Sequence, residues 1–435
     1  MNPILPASPR RQFLKAGAAA GVAATVAFPN ISRGADDSRR LKVGLIGCGG
    51  RGTGAAQDAM TADSNVELHA VADVFPESVS TSLRSLKEAF RDRVTVDESR
   101  TFLGLDAYQK MLESGVDVVL LATPPGFRPL HFEAAVAAGK HVFCEKPTGV
   151  DIPGVKRIIA AAEKAKSQGT AVVSGFCWRR SASRRAAFEQ IANGVIGDVT
   201  SYYATYYTGP VKPMQPASAR KAEWSDIEWQ LRNWMNFSWL SGDSFVEQAV
   251  HSVDKVGWAF QDKDPISCIA TGGRQVPAEG GNIYDHFSAI YEFPGGIFGH
   301  VASRQQTKCD NENADYIRGT KGVCVIGKGS APYIKLHGSD DTFWRYREED
   351  NQMYTQEHVE LFQSIRSGKP LNDGSWMTHS TMLGIMGRTA AYTGKRVTWD
   401  QITNSNDDLA PEDSFKWDSS FTPTPMPQPG VTPLV

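Results

Sequence analysis

The chain has no hydrophobic run long enough to cross a bilayer as a mature helix. Its one modest stretch, Ala16–Phe28, is rich in Ala and Gly and falls short of the roughly 20 apolar residues a span needs. It has no C-x-x-C pair. Six cysteines, Cys48, Cys144, Cys177, Cys268, Cys309 and Cys324, are scattered along it, so no paired-cysteine motif organises the fold. It has no excess of one charge: the formal net charge is −2, and the body stands at −6 once the four basic residues of positions 1–35 are set aside. A mildly acidic body without a basic block argues against nucleic-acid binding. No internal repeat is visible. What remains is a hydrophobic fraction of 41% and a charged fraction of 22%, the balance of a globular protein. A length of 435 residues suits two or three domains.

The first 35 residues read as a targeting segment. Ser8-Pro9-Arg10-Arg11-Gln12-Phe13-Leu14-Lys15 is a twin-arginine pattern, followed by the short apolar stretch and by small residues at Gly34 and Ala35 where cleavage would fall. The expectation is a periplasmic or secreted protein. The route resembles one that carries folded proteins, so folding would occur in a reducing compartment, and free, mostly buried thiols are expected.

The chain is organised around Leu41–Gly52, LKVGLIGCGGRG. A short apolar run meets G-x-G-x-x-G, and a helix-compatible stretch follows. Gly47 permits a tight turn out of the strand. Gly49 lets a pyrophosphate approach the backbone, and Gly52 lets the helix pack close to the sheet. The start of the helix offers unpaired N–H groups to phosphate. A second strand-like run, Val66–Ala72, ends in Asp73, about 20 residues past the glycines, where a carboxylate grips ribose hydroxyls. An acid there favours NAD over NADP, because a 2′-phosphate would meet a like charge.

Residues 40–150 alternate strand and helix, ending in the strand Lys140–Cys144 and then Glu145-Lys146-Pro147. The run Val116–Ala122 is apolar throughout, as in a parallel strand buried on both faces, and leads to Thr123-Pro124-Pro125 at its carboxyl end. Residues 151–400 read as a second domain. It opens with a helix over 153–168 and a short strand over 171–176. It continues with an aromatic strand over 199–208 and a long irregular segment, 209–240, that carries Trp224, Trp229, Trp234 and Trp239. Loops of that length are functional or disordered, and so many tryptophans argue against disorder. A helix is expected over 245–260, then more strands and two helices. Residues 401–435 read as an extended, proline-rich tail.

Taken as a set, these motifs resemble the Gfo/Idh/MocA oxidoreductases of the secreted, twin-arginine kind. The residues that carry the resemblance are Gly47–Gly52, Asp73, Ala122-Thr123-Pro124, Ala138-Gly139-Lys140-His141-Val142 with Glu145-Lys146-Pro147, Gly175-Phe176, Arg179, Gly194–Val199, His251-Ser252-Val253-Asp254, Gly319–Gly322 and Gly387-Arg388. The resemblance implies an α/β fold. An N-terminal Rossmann dinucleotide-binding domain would be followed by a C-terminal α/β domain with an open, mostly antiparallel sheet, and the site would lie in the cleft between them. It implies a homo-oligomer, dimer or tetramer, and NAD as cofactor. It also implies cofactor contacts from Gly47, Gly49, Gly50, Arg51, Gly52, Asp73, Thr123, Pro124, His131, Glu145, Lys146 and Arg179. The family's catalytic lysine corresponds to Lys146. Its Asp and His four residues apart correspond to Glu247 and His251.

The chemistry of those residues agrees. Oxidation of a sugar hydroxyl needs a base within hydrogen-bond reach, with a pKa near the working pH. Glu247, His251 and Asp254, spaced i, i+4 and i+7, would share one face of a helix. Burial beside a cation would lower the pKa of Lys146 and let it take a proton. Aromatic faces stack on sugar C–H faces. Among Tyr206, Tyr207, Trp229, Trp234 and Trp239, substrate contacts are expected from Tyr207 and Trp234, with Asp254 beside them. No further His or Cys completes a metal set around Glu247, His251 and Asp254, so no metal is expected. The expected activity is an NAD(P)-dependent oxidoreductase acting on a sugar or glycoside hydroxyl with tightly bound cofactor. The alternative is an NAD-dependent glycoside hydrolase that works by transient oxidation and elimination.

Overall fold

In the computed structural model, which describes residues 39–276, 280–409, 415–418 and 421–434, the chain builds two sheets. The twin-arginine pattern at Arg10 and Arg11 lies outside the described residues.

The first sheet has six parallel strands: β1 (Leu41–Ile46), β2 (Val66–Asp73), β3 (Thr101–Leu103), β4 (Val118–Leu121), β5 (His141–Cys144) and β6 (Val172–Ser174). Their order is β3-β2-β1-β4-β5-β6. Helices α1 (Gly50–Ala62), α2 (Pro76–Phe90), α3 (Ala107–Glu113), α4 (Arg128–Ala137) and α5 (Ile152–Gln168) cover it. All four residues of β4 are buried, which explains its unbroken apolar run. The chain order reverses between β1 and β4, and ligands bind at the carboxyl ends of strands flanking such a reversal.

One boundary differs from the expectation. The strand over 171–176 does not open the second domain. It completes the first sheet, because α5 carries the chain back over the sheet and Val172–Ser174 pair in parallel with Val142–Cys144. The Asp151 carboxylate caps α5 by accepting from the Gly154 N–H at 2.8 Å. Gly169, at φ 69°, ends the helix.

The second domain starts with α6 (Ala182–Ala192) and the long strand β7 (Val199–Thr208). An insertion follows that carries α7 (Asp226–Arg232) and α8 (Ser238–Ser241), then α9 (Val250–Ala259). Strands β8 (Ser267–Gly273), β9 (His286–Phe293), β10 (Ile297–Gln305), β11 (Asp315–Gly319), β12 (Gly322–Ile326), β13 (Tyr333–Leu336) and β14 (Thr342–Arg345) come next. Helices α10 (Met353–Arg366) and α11 (Gly374–Thr393) and the short strand β15 (Val397–Thr398) end the domain. The sheet runs β14-β13-β12-β11-β7-β10-β9-β8-β15. Only β7 and β10 pair in parallel; the remaining pairs are antiparallel.

Strand alternation divides this sheet into two faces. Tyr202, Ala204 and Tyr206 of β7 join the core with Val253 and Val256 of α9 and Leu383 and Met386 of α11. Ile269, Ile290 and Phe298 point away from it and are exposed. A short helix α12 (Trp399–Thr403) follows β15, and beyond it the described residues of the C-terminal stretch pack back on the body without forming a helix or strand. The Gln230 Nε2 donates to the Phe421 carbonyl, the Asn282 Nδ2 to that of Thr424, and the Tyr284 hydroxyl to that of Pro427.

Candidate active site

A cleft of about 680 Å³ opens at the carboxyl ends of β1, β2 and β4. Its floor is the glycine turn, and packing explains two of the glycines. A Cβ at Gly52 would lie 1.8 Å from the Gly47 carbonyl oxygen, and Gly47 itself has φ 95° and abuts Ala122. Neither position can carry a side chain. Gly49 and Gly50 differ, because a Cβ on either would meet no atom within 4 Å. The backbone there is open to close approach. The open N-terminus of α1 lies beside it, which suits a pyrophosphate. Asp73 ends β2 with its carboxylate oriented by the Cys48 N–H at 2.6 Å and the Phe75 N–H at 2.8 Å. Burial raises its pKa. Thr123, Pro124 and His131 line the far wall with Tyr108 and Phe127. His131 is buried, shares a 3.2 Å contact with the Thr123 hydroxyl, and has its pKa pushed down to about 3 by burial.

Arg51 borders the cleft, but its guanidinium is engaged by protein carboxylates. Its Nε lies 2.9 Å from Glu145 and its Nη2 3.0 Å from Asp58, and the group covers the Tyr354 ring. Glu145 is buried beneath it, with Gly175 leaving room: a Cβ there would lie 2.6 Å from a Glu145 oxygen. Next to them on α10 stands Glu357, wholly buried, with no hydrogen bond to either carboxylate oxygen among the described residues. Burial and Glu145 raise its pKa well above the usual range. Nothing in the sequence marks that residue, because a Glu in a helix reads as a solvated face.

The chemical end of the site lies past β5. Lys146, Glu247 and His251 are brought together and almost sealed, at 8%, 5% and 8% exposure. The Lys146 ammonium donates to the Glu247 carbonyl and lies 3.2 Å from its Oε1. The other carboxylate oxygen takes the Gln248 side-chain N–H. Tyr206 donates to the Gln248 Oε1 at 2.9 Å, which ties β7 to the same group. The His251 ring rests on Trp178, with centroids 5.0 Å apart, and meets Phe176 edge-on. Trp178 was not among the expected site residues.

The expected helix face is interrupted between Glu247 and His251, while His251 and Asp254 both lie within α9. Residues Phe245–Ala249 make a π turn before α9 begins. That wider turn shifts the register, so positions four apart no longer stack. Glu247 turns to Lys146 instead of orienting His251. Asp254 is buried; its Oδ1 accepts from Arg179 Nε at 2.8 Å and from Ser380 at 2.7 Å, while its Oδ2 has no hydrogen-bond partner among the described residues. Arg179 spends its remaining donors on Asp262, at 3.0 and 2.6 Å. Arg179 and Asp254 thus form a buried ion pair, and neither is among the residues that line the cleft. Tyr207 is also displaced. Alternation along β7 puts it on the open sheet face beneath the Arg304 guanidinium and turns Tyr206 to the site. Trp234 does line the cleft, with Val211, Lys212, Gln215 and Met235 of the insertion.

The family model described as "Oxidoreductase family, NAD-binding Rossmann fold" matches residues 41–173, and the GFO/IDH/MocA C-terminal domain matches 184–325. The chain belongs to the Gfo/Idh/MocA family. Its N-terminal domain is the NAD-binding Rossmann domain of that oxidoreductase family. Among its relatives, an inositol 2-dehydrogenase of Acidothermus cellulolyticus is 26% identical over 57% of this chain. A glycosyl hydrolase family 109 protein of Stenotrophomonas maltophilia is 25% identical over 68% of it. Each match spans 61% of the relative's own length. The structure of a levoglucosan dehydrogenase, solved with NADH and levoglucosan, shares the fold at a TM-score of 0.65 and 18% identity, over 82% of this chain and 99% of that one. The donors present suit the cofactor: the open glycine turn for the phosphates, Asp73 for the ribose, and the apolar wall of Tyr108, Phe127 and Leu105 beside them.

Proposed function

We propose that the protein oxidises a hydroxyl of a sugar or glycoside and keeps its cofactor bound between turnovers. When bound, NAD supplies the hydride acceptor. The chain supplies the rest: Lys146, Glu247 and His251 handle the hydroxyl and its proton. The observation that carries this reading is the convergence of those three groups, from elements distant in sequence, in a nearly dry site just past β5. Low solvent access strengthens each hydrogen bond and charge interaction there. Retention of the cofactor is supported by the roof that Val211, Gln215, Trp234 and Met235 make over the cleft. Export by the twin-arginine route rests on Arg10 and Arg11. A protein exported with its cofactor has no free nicotinamide pool to exchange with, which again favours retention.

The glycosyl hydrolase family 109 relative favours a second reading, transient oxidation followed by elimination of a glycosidic bond. One experiment separates the two. Protein purified without added cofactor is denatured, any released dinucleotide is identified, and native absorbance at 340 nm is followed as glycosides are added. Released NAD with lasting reduction by one sugar supports the oxidoreductase. Glycoside cleavage without lasting reduction supports the hydrolase. Absence of a dinucleotide would overturn retention.

A further inference from the structure

We propose that Lys212, on the insertion of the second domain, supplies the cation for the pyrophosphate of the bound dinucleotide. This rests on the reading of the cleft as a site of retained cofactor and adds to it a charged contact from outside the Rossmann domain.

The argument is one of charge. A pyrophosphate brings negative charge on both phosphates. The start of α1 offsets only part of it, because a helix N-terminus carries roughly half an elementary charge. The rest has to come from a side chain. The charged residues that line the cleft are Arg51, Asp73, Glu77, Lys212 and Arg232. Two of the cations are already neutralised. Arg51 faces Glu145 at 2.9 Å and Asp58 at 3.0 Å. Arg232 is held by Glu228 at 2.8 Å on its own helix and by Glu77 of α2 at 2.7 Å, and its guanidinium covers the Phe75 ring. Lys212 is the cation left over. No carboxylate pairs with it among the described residues, and desolvation lowers its pKa with no acid to offset the shift. A phosphate would provide the missing counter-charge. Asp73 at the end of β2 would repel a 2′-phosphate, so the pyrophosphate is the group that suits.

The surrounding residues hold Lys212 where the cleft needs it. It stands in Gly209-Pro210-Val211-Lys212-Pro213, and a residue that precedes proline is confined to extended backbone. Its carbonyl accepts from the Asn236 Nδ2 at 3.2 Å. The Gln215 N–H donates to the Asn233 Oδ1 at 2.9 Å, and the Asn282 N–H to the Asn236 carbonyl at 3.0 Å. The loop is thereby pinned to the turn Trp234–Asn236, whose Trp234 and Met235 line the same cleft. Arg232 ties the insertion to the Rossmann domain through Glu77. A lysine suits the task, since its ammonium acts as a point charge on a stem long enough to follow a phosphate. A dinucleotide held by the glycine turn on one side and by Lys212 on the other joins the two domains and leaves only when that charge contact breaks.

The test uses protein purified with its bound dinucleotide. Lys212→Met keeps the length of the side chain and removes the charge; Lys212→Arg keeps the charge. At low salt, release on dilution is expected to be about tenfold faster or more from Lys212→Met, the range of a lost charge-assisted hydrogen bond, and close to wild type from Lys212→Arg. Salt is expected to speed release from the wild type and to leave Lys212→Met little changed. Unchanged release from Lys212→Met overturns the proposal. So does faster release that keeps the wild-type response to salt, because that is how a merely loosened roof would behave. The ³¹P resonances of the bound dinucleotide give a second readout, with the pyrophosphate signals expected to move in Lys212→Met. Unmoved signals, or a shift confined to a 2′-phosphate in protein that carries NADP, overturn the assignment. If the protein purifies without a dinucleotide, the retention reading has failed. NADH titrated into the wild type and Lys212→Met at low and high salt still decides the role of Lys212, by the same loss of affinity and of salt response.

Discussion

Single residues here are governed by what burial does to charge. His358 on α10 is fully buried against Phe143, with neither ring nitrogen hydrogen-bonded among the described residues. Burial pushes its pKa down to about 3. The unfolded chain binds a proton at this residue below pH 6.5, whereas the folded one does so only near 3. The stability it contributes is therefore present above pH 6.5 and lost as pH falls. At pH 5 that loss is about 2 kcal/mol. Replacing His358 with Leu is expected to shrink the stability difference between pH 7.5 and pH 5 by about that amount in urea unfolding; an unchanged difference would show that the ring is charged in the fold. How little of this is visible in the chain is instructive. His131, His251 and His358 all look alike in sequence, and only their surroundings separate a cleft wall, a site residue and a core residue.

At the scale of elements, close contacts between segments far apart in sequence carry the site. The turn at Pro125–Phe127 abuts α8 so tightly that a Cβ on Gly126 would lie 2.3 Å from the Trp239 carbonyl oxygen. Phe127, Trp239, Phe415 and Phe421 then cluster, joining the Rossmann domain, the insertion and the C-terminal stretch. Gly126→Ala is expected to cost about 1–3 kcal/mol by overpacking and to loosen the roof over the cleft. Faster loss of bound dinucleotide on dilution would report the second effect. A second contact, between α9 and β11, joins Lys255 and Asp315, both 1% exposed. Lys255→Met alone strands a buried carboxylate and is expected to cost about 3–5 kcal/mol, whereas adding Asp315→Leu should recover most of it. Chemical denaturation of the two variants tests that ordering, and an equally unstable double variant would contradict it.

Among the described residues, the outer face of the nine-stranded sheet carries an exposed apolar patch. Ile269, Ile290 and Phe298 are 43%, 38% and 46% exposed there, beside the stacked rings of Tyr203 and Tyr316. An apolar patch of that kind on a sheet marks an interaction site. We propose that a second copy of the chain covers it, as a dimer or within a tetramer. Introducing Ile290→Lys with Phe298→Glu is expected to reduce the mass measured by light scattering to that of a single chain. A wild type already of single-chain mass would contradict the proposal.

The sequence by itself determined the dinucleotide half. Its motifs are local: a glycine turn, a strand end and an acid about 20 residues on are fixed by backbone sterics and by the strand–helix–strand repeat, so the placing of Gly47, Gly52, Asp73, Thr123 and Pro124 along one cleft was legible. Lys146, which follows a strand in that repeat, was legible for the same reason. Only the tertiary structure decided the partners in the other half. A π turn, invisible in hydrophobic periodicity, carries Glu247 where it meets Lys146, and the fold brings Arg179 to Asp254. A one-residue alternation exchanged Tyr207 for Tyr206. Whether a buried charge is a ligand, a proton relay or half of an ion pair depends on which other charge the fold brings within a few ångströms, and that distance is set by contacts between segments that the chain order does not relate.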